Sequence, residues 1–241
     1  MDMKCEKPIY RRVLLKLSGE AISGHGNGIL DFDYIAEIAK VIRRAMDQGV
    51  QFGIIVGAGN IWRGRSGGEM DRVKADHMGM LATAINALAV QETFLRCGID
   101  TRVMTAVPVG GFADYFNRDE AVRLLDAGKV VIFACGAGIP FVSTDTAGAV
   151  RAAEIKADAM YMAKNIDYIY TADPRVDKTA QKLLTVSCSE ILARGLRAID
   201  ATAAAFCMSV GLPIRIFGMT TPEDITLALR GEKVGTLISA D

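Results

Sequence analysis

Three glycine-bearing turns of this chain sit beside side chains able to grip a phosphate. In Lys16-Leu17-Ser18-Gly19, a lysine stands at the end of the apolar run Val13-Leu14-Leu15, directly ahead of a turn. Gly57-Ala58-Gly59-Asn60 leads to Arg63, and Gly136-Ala137-Gly138 leads to Ser143-Thr144-Asp145. Glycines let backbone N–H groups approach an anion, and a following helix adds its positive end. Each feature also has a plainer reading. Lys16 can run its stem along apolar surface with the charge in water, and each glycine can serve a tight turn. Three such turns at three strand ends, two of them with a cation nearby, favour an anionic ligand.

The elements that must position these turns follow from apolar periodicity. Strands are expected at 13–17, 52–56, 101–106, 130–134, 159–163, 214–217 and 236–239, several apolar on consecutive residues as strands covered on both faces are. Helices are expected between them, at 31–49, 76–98, 117–128, 145–158, 200–211 and 221–231. The first puts Ile35, Ile38, Ala39, Ile42 and Met46 on one stripe, opens at Asp31 or Asp33 and closes at Gly49. Alternation of this kind predicts a mainly parallel sheet with helices on both faces. In such sheets, ligands bind beyond the carboxyl ends of the strands, where the three turns fall. The weakly patterned stretches 22–30, 63–74 and 172–184 are of a size expected of binding loops.

Common alternatives fail letter by letter. A dinucleotide fingerprint needs a glycine where Trp62 and Phe141 stand, and a P-loop needs a hydroxyl where Val130 follows Gly128-Lys129. The five cysteines lack CxxC spacing and the two histidines lack a metal-ligand pattern, so neither zinc nor a thiol nucleophile is expected. Lys plus Arg and Asp plus Glu are 28 each, which favours neither nucleic acid nor an anionic membrane. With 51% hydrophobic residues in 241, one substantial core is expected, in one folded unit spanning 1–241, without a linker or an internal repeat. No apolar leader is seen at the N-terminus, and a cytoplasmic protein with reduced thiols is the simplest expectation.

The segments KLSGEA, GNIWRG, DHMGMLAT, PFVSTDTA and YTADP together resemble the bacterial-type uridylate (UMP) kinases of the amino acid kinase superfamily, over nearly the whole chain. The resemblance implies an α/β fold, a three-layer αβα sandwich with UMP-side and ATP-side halves. It implies phosphoryl transfer from ATP, with Mg2+, to UMP, no metal ligand from the protein itself, and a homohexamer. Lys16, Arg63 and Asp145 would be catalytic, Lys16 bridging the ATP phosphates and Asp145 organising that lysine near the metal. Leu17, Ser18, Gly19 and Gly59 would complete the phosphate cradle. Lys164 or Asn165, with Tyr170 and Asp173, would meet the adenine and ribose of ATP. On the UMP side, Ala58 and Asp76 would join the loop Ala137, Gly138, Ile139, Pro140, Phe141, Val142, Ser143 and Thr144. Asp76, which could also cap the helix it opens, would take the ribose hydroxyls, and Thr144 would donate to the nucleotide. Gly24, His25, Gly26, Asn27 and Gly28 fall where the family has a segment linked to activation by GTP, and UTP would be an inhibitor.

Departures from the family pattern are Ala58 in place of a glycine, and Ala137 and Ile139 where a threonine and an asparagine are usual. The first keeps its N–H, provided the backbone suits alanine. The others lose a hydroxyl and a carboxamide, a change that bears on regulation more than on catalysis. Two alternatives stand beside the kinase: a storage or sensor protein of the same fold that binds nucleotide or oxyanion without turnover, and another kinase of the superfamily.

Overall fold

The computed structural model describes residues 7–24, 28–62 and 68–241. In chain order the elements are β1 (Arg12–Leu17), α1 (Gly19–Ile22), α2 (Phe32–Asp47), β2 (Gln51–Val56), α3 (Arg72–Arg96), β3 (Thr101–Thr105), β4 (Asp114–Tyr115), α4 (Arg118–Asp126), β5 (Val130–Ala134) and α5 (Thr144–Glu154). There follow β6 (Ala159–Lys164), β7 (Ile169–Tyr170), β8 (Lys182–Leu183), β9 (Thr185–Ser187), α6 (Cys188–Arg194), α7 (Ala201–Val210), β10 (Ile214–Gly218), α8 (Glu223–Leu229) and β11 (Thr236–Ser239). A nine-stranded sheet runs β4-β3-β5-β2-β1-β6-β10-β11-β9, and β7 with β8 makes a small separate ribbon. In the large sheet every pairing is parallel except β10 with β11.

Alternation along the central strands assigns each side chain a face. Val13, Leu15 and Leu17 of β1 join a cluster with Ile35, Ile38 and Ile42 of α2, Val90 and Phe94 of α3, and Ile225 of α8. Leu14 points the other way, into a cluster with Leu124 of α4, Ala149 of α5 and Ala203 of α7. The sheet is therefore sandwiched between two helical layers, as the apolar runs predict. A fully buried leucine or phenylalanine is worth roughly 1.5–3 kcal/mol, so these two clusters hold the frame. Small residues set the spacing on the α5 side. A Cβ on Gly148 would lie 2.6 Å from Met160 Cε, and one on Gly53 would lie 2.6 Å from Ile155 Cδ1.

Element ends follow capping chemistry. Asp31 accepts from Tyr34 N at 2.9 Å to open α2, and Asn117 from Glu120 N at 3.0 Å to open α4. α3 differs from expectation. It begins four residues before Asp76, at Arg72, because Asp71 supplies the cap to Lys74 N at 3.1 Å. Its apolar window, of mean hydropathy 1.2, is long enough to cross a bilayer by length and composition. Here it is a core helix lying on β2, β3 and β5, with Met78, Leu81 and Ile85 exposed on its outer side. The short elements α1, α6, β4 and β7 to β9 were not expected, being too brief to show a period.

Candidate active site

β1 sits where the order of the sheet reverses, between β2 and β6, and such a switch point opens a crevice at the carboxyl ends of the strands. Lys16 shares the parity of Leu14 and so faces the α5 side. On β6, Met160 and Met162 face that same side, and Lys164 continues their alternation. Both ammonium groups meet Asp145, in the first turn of α5. Lys16 Nζ donates to Oδ1, while Lys164 Nζ donates to Oδ2 at 2.8 Å and to Ala198 O at 2.6 Å. Lys16 and Asp145 are 7% and 8% exposed, deep enough for the charges to act strongly on one another. Burial by itself would raise the Asp145 carboxyl, but Lys16 and Lys164 outweigh it and hold it below the usual range. Burial lowers Lys164, with Asp145 opposing and Lys16 adding to the fall. Asp145 thus holds two ammonium groups side by side at one end of the crevice, and Asp200 adds to the field that opposes the fall of Lys164.

A second carboxylate braces the first. Ser143 caps α5, accepting from Asp145 N at 3.0 Å and Thr146 N at 3.3 Å. Its hydroxyl donates in turn to Asp200, which also accepts from Thr146 Oγ1 at 2.8 Å and from Ala203 N at 2.7 Å as the cap of α7. Asp200 thus ties the starts of α5 and α7 together beside the lysines. Sequence reasoning saw α7 but missed Asp200, because its only local mark is that of an ordinary N-cap.

The first two glycine turns pack against each other. A Cβ on Gly19 would lie 2.4 Å from Asn60 Oδ1 and 2.5 Å from Gly59 N, so glycine there answers to space. Asn60 and Asn86 exchange side-chain bonds of 3.0 and 2.8 Å, and Asn86 Nδ2 also donates to Gly57 O at 2.7 Å. Ser18 caps α1 by accepting from Ala21 N at 3.1 Å. Ala58 is not among the residues of positive φ, so alanine fits its backbone. Arg63, and with it His25, Gly26 and Asn27, lies outside the described residues.

The third turn is held by α3. Asp76, one turn inside the helix and so not its cap, accepts from Phe141 N at 2.9 Å and from Arg72 Nε at 2.9 Å. The Arg72 guanidinium lies 5.7 Å from the Phe141 ring centroid. Asp76, Ala58, Gly59, Ala137 and Thr144 line a cavity of about 180 Å³ with Trp62, Met80 and Thr83. A larger cavity, about 760 Å³, is lined by Lys16, Asp145, Lys164, Phe141 and Ser143, with Leu192, Leu196 and Asp200 on the α6–α7 side. Asp76, Val142 and Thr144 form walls of both cavities.

Other expected contacts lie apart from this cluster. Asn165, one residue past the end of β6, lines a different cavity, of about 220 Å³, with Glu20, Ser23, Gly24 and Tyr34. Tyr170 OH donates to Asp167 at 3.1 Å, on the small ribbon. Asp173 is exposed and takes the Arg175 fork at 3.0 and 2.8 Å, whose hydrogen bonding lowers its carboxyl to about 2. Ile139 and Phe141 are exposed, Gly138 is part-buried, and Gly28 is exposed beyond the turn at Gly24.

This architecture matches the model of the amino acid kinase family over residues 11–218, and the chain belongs to that family. Among solved structures it is similar to the UMP kinase of Bacillus anthracis, with a TM-score of 0.91 and 35% identity, covering 96% of this chain and 97% of that one. The UMP kinase of Ureaplasma parvum matches at 0.89 and 31% identity, covering 95% and 98%. The uridylate kinase of Archaeoglobus fulgidus matches at 0.72 and 29%, covering 94% and 99%.

Proposed function

We propose that this protein transfers the γ-phosphoryl group of ATP to UMP, giving ADP and UDP. The observation that carries the reading is the meeting of the two cavities at Thr144, beside the buried Lys16–Asp145–Lys164 cluster. The larger cavity suits the donor nucleotide, with Leu192 and Leu196 as an apolar wall for its base, and the smaller one suits the acceptor. Similarity to three kinases of uridylate supports the choice of acceptor.

A phosphate oxygen of UMP attacks the γ-phosphorus as the bond to the bridging β–γ oxygen breaks, and that oxygen leaves with ADP. Such transfer depends on positioning and on neutralising charge over the phosphoryl oxygens. Lys16 and Lys164 supply that charge, and Asp145 fixes their spacing. The acceptor is already an anion at neutral pH, so no general base is required. Asp76 takes the ribose hydroxyls of UMP, Thr144 donates to its phosphate, and Arg63 would add a planar fork to phosphate oxygens.

Magnesium enters with ATP on this reading and would neutralise charge on its β- and γ-oxygens. Among the described residues, no group of three His, Cys, Asp or Glu side chains gathers to hold an ion. Asp145 and Asp200 are the hard oxygen ligands nearest the lysines, and they fit an ion carried mainly by phosphate and water. We further place the protein in the cytoplasm as a homohexamer, activated by GTP and inhibited by UTP. Exposed Met78, Leu81 and Ile85 on α3 support self-association.

The test is ADP release with MgATP and UMP, CMP, dUMP or no acceptor, with GTP or UTP in parallel. Turnover largely confined to UMP is expected. Tight nucleotide binding without turnover on any acceptor would overturn the kinase reading in favour of a storage or sensor role.

A further inference from the structure

Between β5 and α5 the chain passes through Cys135 with φ 62° and Phe141 with φ 68°, two of the three non-glycine residues of positive φ among those described. Left-handed backbone is costly for such residues and persists where surrounding contacts over-determine it. Both have their N–H groups held by side chains of one helix. Phe141 N donates to Asp76, and Cys135 N donates to Thr83 Oγ1 at 2.7 Å. Asp76 and Thr83 are seven residues apart on α3, two turns, and so lie on one face. Thr83 is 2% exposed, and its hydroxyl donates to Met80 O at 2.7 Å. With its proton so committed, the oxygen is left to accept from Cys135. That N–H lies just beyond the last ladder pair of β5, Thr105 with Ala134.

We infer that Thr83 is a positioning residue for the acceptor: it holds the start of the 135–141 loop in its left-handed turn, as Asp76 holds the end. The inference rests on the reading of the smaller cavity as the UMP site. Thr83, Gly136 and Ala137 line that cavity together, so release of Cys135 displaces the wall that meets the acceptor while leaving Lys16, Asp145 and Lys164 where they are. Asp76 then has two duties, pinning Phe141 and reading the ribose, whereas Thr83 has one, pinning Cys135.

The experiment compares wild type, Thr83→Ser, Thr83→Val and the double variant Thr83→Val/Cys135→Gly, with kcat, KM for UMP, KM for ATP and thermal midpoint measured for each. Thr83→Val is expected to raise KM for UMP roughly fivefold, the worth of a hydrogen bond lost at a buried group, with KM for ATP unchanged. Thr83→Ser should keep the wild-type values. Cys135→Gly, which suits positive φ without a clamp, should recover most of the loss. Unchanged KM for UMP in Thr83→Val, equal rises for both substrates, or no recovery in the double variant would overturn the inference. Should Thr83→Val fail to fold, the double variant must fold and bind UMP, or the inference falls. Wild type that binds but does not phosphorylate UMP would sink the kinase reading instead, with equilibrium UMP binding then reporting on Thr83.

Discussion

Lys16 and Lys164 rise from adjacent parallel strands on the same face of the sheet, and each holds a different oxygen of Asp145. The carboxylate is thereby a spacer between two cations. A phosphate bound there would give the lysines a second partner, and Asp145 would keep them from collapsing onto it or from repelling one another. Asp145→Asn should therefore cost more than a charge. Leaving two buried ammonium groups without their partner is worth about 3–5 kcal/mol of stability, and loss of organised charge should cut kcat by ~10²–10³. Thermal unfolding and the ADP-release assay on the same preparation check both. Wild-type kcat in this variant would show that Asp145 does not organise the lysines.

The pH profile should carry the mark of Lys164. Burial lowers its value, Asp145 offsetting this only in part, so on raising pH it loses its proton before an ordinary lysine, below ~10.4. The alkaline limb of kcat/KM should fall in that region, and Lys164→Arg should move it upward because a guanidinium stays charged. Asp145 contributes to the acid side of stability. Its folded value lies below the unfolded ~3.9, so its contribution is complete above the unfolded value and is lost as pH falls through the folded one. Asp145→Asn should flatten the acid limb of a stability–pH curve measured by denaturant unfolding.

Acceptor choice should depend on Asp76. Wild type is expected to favour UMP over dUMP, and Asp76→Asn to weaken that preference while raising KM for UMP more than KM for ATP. Retention of the wild-type preference in Asp76→Asn would assign recognition of the ribose to another group.

Gly19→Ala tests the contact between the first two turns. Its Cβ would meet a side-chain atom of Asn60 at 2.4 Å and the backbone of Gly59 at 2.5 Å, and relief requires the turns to part. Overpacking of this kind costs about 1–3 kcal/mol, so the melting point should fall and KM for ATP should rise. An unchanged melting point would mean that the turns give without cost.

Much of this arrangement is legible in the letters. The apolar runs predicted the parallel sheet, and the segments shared with uridylate kinases pointed to the family, whereas the switch point at β1 appears only in the strand order. What was not legible depended on contacts across the chain. Asp76 reads as a helix cap until Asp71 is seen to take that place. Lys164 and Asn165 are equal candidates until the alternation of Met160 and Met162 is continued, which sends Lys164 to the α5 side. Asp200 reads as a cap, and its second duty toward Ser143, 57 residues away, is written nowhere nearby. Thr83 is one of several polar residues on α3, and nothing local marks the Cys135 amide as its partner.

Because the site faces one side of the sheet by residue parity, its tolerance of insertion and deletion is uneven. Removing one residue from within β1 ahead of Lys16 would turn the ammonium toward the α2–α3 layer, among aliphatic side chains and away from Asp145. Removing a pair would keep the face and shorten the reach. The descendants of such a chain can therefore vary the loops that carry the walls with comparative freedom, while the lengths of two short strands are held to even steps.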